Sequence, residues 1–281
     1  MTQKSILITG CSSGIGLCVA QGLHERDYQV IASVRKADDR KRLMSLGLDT
    51  IILDLADPIS IHSAVKVVLE KTNGKLYALF NNGAYGQPGA VEDLTWQTLE
   101  QQLATNVLGW HELTRLLIPT MRNAGEGRII QNSSVLGLVA FPYRGAYNCS
   151  KFALEGLSDT LRMELYGSGV EVSLIEPGPI TSKFRDNAYA RYKANIDAEN
   201  SFHRDNYRAM EERLAKDGDA SSFTLPPEAV LKRVIHALES KRPKPRYYVT
   251  TPTYIFGFLR RFLSTRAIDW VLLKASGGGK R

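Results

Sequence analysis

Ile6-Leu7-Ile8-Thr9-Gly10-Cys11-Ser12-Ser13-Gly14-Ile15-Gly16 is a short apolar run that ends in a glycine-rich turn. Three apolar residues without polar alternation read as a strand buried on both faces, the mark of a parallel sheet. Gly10, Gly14 and Gly16 are spaced to turn tightly, to let backbone approach a ligand, and to bring the next helix against the strand. Ser12 and Ser13 stand between them, and Ile15 starts the apolar side of that helix. A helix N-terminus at this point offers unpaired N–H groups and the positive end of its dipole, a seat for a pyrophosphate. Small residues can also do no more than join strand to helix. The placement directly between the two is what points to a dinucleotide.

Strand and helix signals alternate along the rest of the chain. Tyr28–Ala32, Thr50–Leu53, Leu76–Phe80, Arg128–Gln131 and Val170–Ile175 are short apolar runs that read as strands. Helical patterns run from the loop to Arg26, over 36–46, onward from Asp57-Pro58, from Thr95 to Met121, and from Tyr147 through Leu165. Pro226-Pro227 starts another helix to Leu238, and Arg246–Val249 reads as a closing strand. This pattern predicts an α/β fold: one doubly wound parallel sheet with helices on both faces, in a single domain. Residues 183–222 are polar with few apolar anchors and are expected to be an insertion at the carboxyl edge of the sheet, within a catalytic domain spanning 1–251. Residues 252–281 form a basic amphipathic C-terminal extension.

The second strand selects among dinucleotides. About 20 residues after the loop, an NAD enzyme usually presents an acid to the ribose hydroxyls. This chain has Ser33-Val34-Arg35-Lys36 there, with no acid before Asp38. Arg35 can form paired hydrogen bonds to a ribose phosphate, with Lys36 as further positive charge. NADP(H) is therefore expected over NAD(H). Further along, Tyr147 and Lys151 stand four residues apart, on one helix face, after Ser134. They supply a proton donor, a cation to tune it, and a hydroxyl to hold a carbonyl oxygen.

In their order along the chain, these motifs resemble the short-chain dehydrogenase/reductase family over nearly the whole length. Thr9-Gly10-x-x-x-Gly14-Ile15-Gly16 is similar to its cofactor loop, and Asp54-Leu55 to the pair that contacts adenine. Asn81-Asn82-Gly83-Ala84 resembles its Asn-Asn-Ala-Gly motif, with Gly83 and Ala84 in reversed order. Asn106 matches the long-helix asparagine, and Ser134, Tyr147 and Lys151 the catalytic set. Pro177-Gly178-Pro179-Ile180-Thr181 resembles the nicotinamide-side loop. The nearer branches look like bacterial NADP-dependent aldehyde or ketone reductases and the hydroxysteroid and retinol dehydrogenases.

The resemblance implies a Rossmann-type fold and hydride transfer between NADP(H) and a carbonyl or alcohol substrate, with Tyr147 as acid/base. Lys151 would stabilise the phenolate and hold the nicotinamide ribose, and Ser134 would hydrogen-bond the substrate oxygen. Asn106 would help hold a water that relays protons toward Lys151. A homodimer or homotetramer built from two long helices is the assembly implied. A non-catalytic cofactor sensor would be expected to have a damaged Ser-Tyr-Lys set, and this one is intact. An epimerase or dehydratase on the same fold is the other alternative, less favoured by the compact loop and one-domain length.

Composition narrows the remaining classes. No run of about 18 apolar residues exists to span a bilayer. Met1–Ser5 is too short a prelude for a signal peptide, so a cytoplasmic protein is expected. Cys11, Cys18 and Cys149 lack paired spacing and the histidines are scattered, so neither disulfides nor a metal site are indicated. Cys149 is expected to pack. Residues 231–281 hold twelve Lys and Arg against Glu239 and Asp269, a net +10, which leaves −3 for the rest of a +7 chain. No accompanying module suggests nucleic acid. At helical spacing, Tyr254–Leu263 gathers aromatic and aliphatic residues on one side with Arg260 and Arg261 on the other. Such a segment can lie peripherally on the inner face of a membrane, cap the pocket, or pack on the body or a partner subunit, and packing is favoured. Tyr189, Tyr192, Phe202, Tyr207 and Met210 are expected to meet an apolar substrate from a flexible lid. Phe141–Tyr143 and Tyr85–Gln87 would form other walls.

Overall fold

Strands β1 (Ser5–Ile8), β2 (Gln29–Val34), β3 (Asp49–Ile52), β4 (Ala78–Asn81), β5 (Gly127–Asn132), β6 (Val170–Glu176) and β7 (Arg246–Tyr248) form one parallel sheet, in the order β3-β2-β1-β4-β5-β6-β7. The structure, a computed structural model, describes residues 3–215 and 221–277. Residues 216–220 of the expected insertion and 278–281 of the basic tail lie outside the described residues. Every residue of β1 is buried. Ile6 and Ile8 join one core with Val19, Leu23, Val230 and Val234, while Leu7 joins another with Val65, Leu113 and Leu117. Helices α1 (Gly14–His24) and α9 (Glu228–Glu239) therefore cover one face, and α3 (Pro58–Lys71) and α5 (Gly109–Ala124) the other. Burying each of these strand side chains contributes about 1.5–3 kcal/mol, so both faces select apolar residues.

The strand order reverses between β1 and β4, which are hydrogen-bonded neighbours. Crossovers leave this point in opposite directions, and a crevice opens beyond the carboxyl ends of the two strands. Helix α2 (Ala37–Ser45) follows β2, and α3 starts where the Asp57 carboxylate accepts the Ile59 N–H (2.9 Å) ahead of Pro58.

Two regions differ from the sequence-based expectation, and a third follows the packing expected of it. The helix expected over Thr95–Met121 is α4 (Trp96–Leu103) and α5, joined by a π turn at Ala104–Leu108. The wider turn goes with Asn106, whose side chain turns inward and is fully buried. The insertion, expected to be a flexible lid with few apolar anchors, carries α7 (Phe184–Asn195) and α8 (Arg204–Ala215). A few aromatic anchors suffice: Tyr192, Tyr207 and Met210 are buried together against Ala90, with Tyr143 and Tyr189 packed around them. The C-terminal extension forms α10 (Thr251–Phe262) and α11 (Thr265–Ala275). Phe256, Leu259, Leu263, Ile268 and Leu272 pack onto Val135, Val139 and Phe141, so the inner sides of both helices bind the body. Cys149 is exposed, not packed, because it lies on the outer side of its helix.

Candidate active site

A cavity of about 1170 Å³ runs across the carboxyl ends of the central strands. Its floor is backbone. Gly10 adopts φ +70° and Gly14 φ +56°, a region that favours glycine. A Cβ on Gly10 would stand 2.5 Å from Gly83 Cα, and one on Gly16 would collide with the Gly10 carbonyl. Thr9 fastens the two loops together. Its N–H donates to the Phe80 carbonyl (3.0 Å), and its Oγ1 accepts from the N–H groups of Asn82 (2.8 Å) and Gly83 (2.9 Å). At Gly83, the first of the reversed Gly83-Ala84 pair, a Cβ would press on Gly10 N (3.2 Å) and Leu55 Cδ1 (3.0 Å). Ser13 caps α1 with extended backbone and no side-chain hydrogen bond, which leaves the first-turn N–H groups for an anionic ligand.

Gly10, Ser12, Ser13, Gly14, Ile15, Arg35, Asp54, Leu55, Gly83 and Ala84 line one part of the cavity. Ser134, Tyr147, Lys151, Pro177, Gly178, Ile180 and Thr181 line the rest. The glycine cradle and this polar lining fit a dinucleotide. Three expected residues do not line the cavity. Gly16 is used where helix meets strand. Asn81 is a correction: its amide donates to Thr114 Oγ1 (2.9 Å) and Gln131 Oε1 (3.0 Å) inside the protein. Asn82 faces the cavity instead, donating to the Thr9 carbonyl (2.9 Å) and accepting from Asn132 Nδ2 (2.9 Å). Asn106 is the third. Its side chain accepts from Tyr85 N–H (3.2 Å) and donates to the Tyr85 carbonyl (2.9 Å) and Ser150 Oγ (3.1 Å). That side chain braces the cavity wall at Tyr85.

Helix α6 (Gly145–Glu164) carries Tyr147 and Lys151 on its inner face, and Ser134 follows β5. Lys151 is buried and its Nζ donates to the Asn132 carbonyl (2.8 Å). It lies 5.5 Å from the Tyr147 ring centroid and 4.5 Å from that of Trp110. Burial pushes the Tyr147 phenol above its ordinary range, partly offset by a hydrogen bond with Ser134. Burial also pulls Lys151 down to about 7, opposed by the negative charge of Glu155 one turn along. The Ser134 Oγ also accepts the Leu136 N–H (3.1 Å), which fixes the hydroxyl at the turn. Hydroxyl, phenol and ammonium therefore converge on one spot, an arrangement able to hold and protonate an oxygen.

Behind them lies a charged layer that the sequence did not disclose. Glu155 accepts from the Ser133 hydroxyl and from Arg246. Arg246 also donates to Glu176 Oε1 (2.6 Å) and Asp159 Oδ2 (2.6 Å). Three carboxyls share one guanidinium, and burial with the Glu155 charge pushes Glu176 up to about 8. These residues come from α6, β6 and β7, so only the fold assembles them. Arg42 was also missed: from α2 it reaches the Ser12 carbonyl (2.5 Å) while paired with Asp39 (3.2 Å). Trp110 is the third omission. It is fully buried, and its indole N–H donates to the Gly83 carbonyl (2.8 Å).

The substrate side is built from side chains. Phe141, Pro142 and Tyr143, and Tyr85, Gly86 and Gln87, line the cavity as expected. Phe184, at the start of α7, sets its ring 5.3 Å from that of Tyr147. Pro252, Phe256, Ala275 and Ser276 bring α10 and the end of α11 into the wall. Of the expected lid contacts, Met210 lines the cavity, but Tyr192 and Tyr207 pack beneath it and Phe202 is 93% exposed. The Tyr207 hydroxyl accepts the Ala90 N–H (2.8 Å) and donates to Asp93. Tyr143 holds φ +60°, pinned through its hydroxyl by Asn206 Nδ2 (2.7 Å) and through its carbonyl by Gly89 N–H (3.0 Å).

Residues 4–193 match the short chain dehydrogenase family, and the chain belongs to it. It is 44% identical over 270 residues to the uncharacterized oxidoreductase YbbO of Escherichia coli K12, covering 96% of this chain and 94% of that one. It is 32% identical over 265 residues to human 17-beta-hydroxysteroid dehydrogenase type 1, covering 89% and 78%. A short-chain dehydrogenase from Streptomyces avermitilis superposes with a TM-score of 0.77 at 25% identity, over 99% of this chain and 98% of that one. The protein is thus an oxidoreductase of a family that transfers hydride with a nicotinamide cofactor.

Proposed function

We propose that the protein interconverts a carbonyl and an alcohol with NADP(H), acting on apolar aldehydes or ketones, with Tyr147 as the acid/base. The convergence of Ser134, Tyr147 and Lys151 beside the glycine cradle carries this reading. The nicotinamide, when bound, donates or accepts the hydride at the carbonyl carbon. Ser134 Oγ orients the substrate oxygen where negative charge develops. Tyr147 gives that oxygen its phenolic proton in reduction and takes it back in oxidation. Lys151 has one N–H on the Asn132 carbonyl, which leaves others for the ribose hydroxyls and the phenolate. Asn106 positions the Tyr85 loop and, through Ser150, the turn of α6 that carries Lys151.

Arg35 on the cavity wall, with no acid at the end of β2, supports NADP(H) over NAD(H). The aromatic wall of Phe141, Phe184 and Phe256 supports an apolar substrate. Oxidation of NADPH, with NADH in parallel, against aldehydes, ketones, steroids and retinoids tests both points. Turnover with NADPH and an apolar carbonyl is expected. Tight NADPH binding without turnover on any carbonyl would favour a sensor.

A cytoplasmic homodimer or homotetramer fits this reading. The outer face of α6 and its surroundings expose Phe152, Leu157 and Met163, with Leu108 nearby in the π turn, a surface suited to a second copy. Light scattering that reports a monomer would contradict it. The outward sides of α10 and α11 expose Phe258, Phe262 and Trp270 near Arg260, Arg261 and Lys274, which supports peripheral contact with the inner face of a membrane. Among the described residues no helix is long and apolar enough to cross one. Flotation with anionic vesicles should fall in a Phe258→Ser/Phe262→Ser variant, and equal flotation would remove this contact from the account.

A further inference from the structure

Trp110 has no place in the motifs read from the sequence, yet it touches both halves of the site. It sits at the second residue of α5, just after the π turn, and no part of it reaches solvent. Its position is fixed by its neighbour, because a Cβ on Gly109 would collide with the Leu55 carbonyl. From there the indole N–H donates to the Gly83 carbonyl (2.8 Å), and the ring presents itself to Lys151 Nζ at 4.5 Å from its centroid. Gly83 is the residue that packs on Gly10 in the cofactor cradle.

We propose that Trp110 is a positioning residue, which holds the Lys151 ammonium with its ring and the Gly83 carbonyl with its N–H, and so couples the proton-handling lysine to the cofactor loop. The inference rests on the hydride-transfer reading. A ring face attracts the ammonium but not the neutral amine, and does so without using one of its N–H donors. Two N–H groups thus remain for the cofactor ribose and the phenolate after the Asn132 carbonyl has taken one. The charged form needs this help, since burial favours the neutral amine. The groups that face Lys151 are few. Glu155 and Tyr147 lie on its own helix, the Asn132 carbonyl on β5, and Trp110 on α5. Glu155 is itself engaged by Arg246, which weakens its hold on the lysine. Among the described residues the ring is then the one neighbour from another element, besides a backbone carbonyl, that favours the ammonium.

Two substitutions separate the two contacts. Trp110→Phe keeps a ring face and removes the N–H, while Trp110→Leu removes both. NADPH affinity is measured by fluorescence titration, the pH profile of kcat by carbonyl reduction, and folding by circular dichroism and thermal midpoint. Loss of the hydrogen bond should weaken NADPH binding by about fivefold in both variants. The alkaline limb of the kcat profile should stay in place in Trp110→Phe. In Trp110→Leu it should move to lower pH by about half a unit to one unit, because the ammonium is lost earlier. Coincident limbs in a folded Trp110→Leu variant and the wild type would overturn the ring contact. Unchanged NADPH affinity in both variants would overturn the Gly83 contact. A wild type that binds NADPH but reduces no carbonyl would instead overturn the hydride-transfer reading, and the affinity comparison would still test the Gly83 contact.

Discussion

The two sides of the cavity are built by different means. The cofactor side is backbone against backbone, with Gly10 on Gly83, Gly16 under Gly10, and Thr9 bonded to both loops. The substrate side is aromatic side chains from separate elements, with Phe184 from α7, Phe256 from α10 and Tyr143 from the loop before α6. Backbone contact at these distances leaves no room for change, whereas a wall of side chains can be re-cut without moving the chain. The first side fits one class of ligand and the second adjusts which partner that ligand meets.

Substitutions should separate the two sides by size of effect. Tyr147→Phe, at their junction, is expected to lower kcat by about 10²–10⁴-fold with NADPH affinity little changed. Comparable turnover in that variant would remove the acid/base role. Gly10→Ala forces a side chain into positive φ against Gly83 and should cost about 1–3 kcal/mol of stability along with NADPH binding, read by thermal denaturation and titration. Arg35→Ser should weaken NADPH by about 10–100-fold and leave NADH unchanged, since one charged pair is lost. An equal loss for both would show that Arg35 does not read the ribose phosphate. On the other side, Phe184→Ala should raise KM for an apolar carbonyl by about tenfold without touching NADPH affinity. Loss of cofactor binding there would erase the distinction between the two sides.

A pH-dependent effect is expected in the charged layer behind the site. Folding raises the Glu176 carboxyl to about 8, so the folded state keeps a proton that the unfolded chain has already released. Wild-type stability should therefore decline as pH rises from about 4.5 toward 8. Glu176→Gln lacks this group and should show a flatter thermal midpoint over that range. Parallel profiles would mean that Glu176 is ionised when folded.

Sequence made one side far more legible than the other, for the same physical reason. Glycines, an extended apolar strand and a Tyr-x-x-x-Lys pair are local requirements, so Gly10, Gly14, Ser134, Tyr147 and Lys151 could be read in order and all line the cavity. The Arg246 cluster and Trp110 depend on elements far apart in the chain, and no local spacing announces them. Asn81 and Asn106 were legible as residues but not in direction. Each turns its amide into the protein, where burial requires partners. The insertion reads as polar with few apolar anchors, yet Tyr192, Tyr207 and Met210 are enough to anchor two helices.

The central claim is hydride transfer with the proton handled by Tyr147. Reduction of an apolar aldehyde or ketone with NADPH carrying deuterium at both C4 positions of the nicotinamide tests it most directly. Wild type should place deuterium on the product carbinol carbon, and Tyr147→Phe, loaded with the same cofactor, should yield almost none. Product without cofactor-derived deuterium, or equal transfer in the Phe variant, would contradict the account.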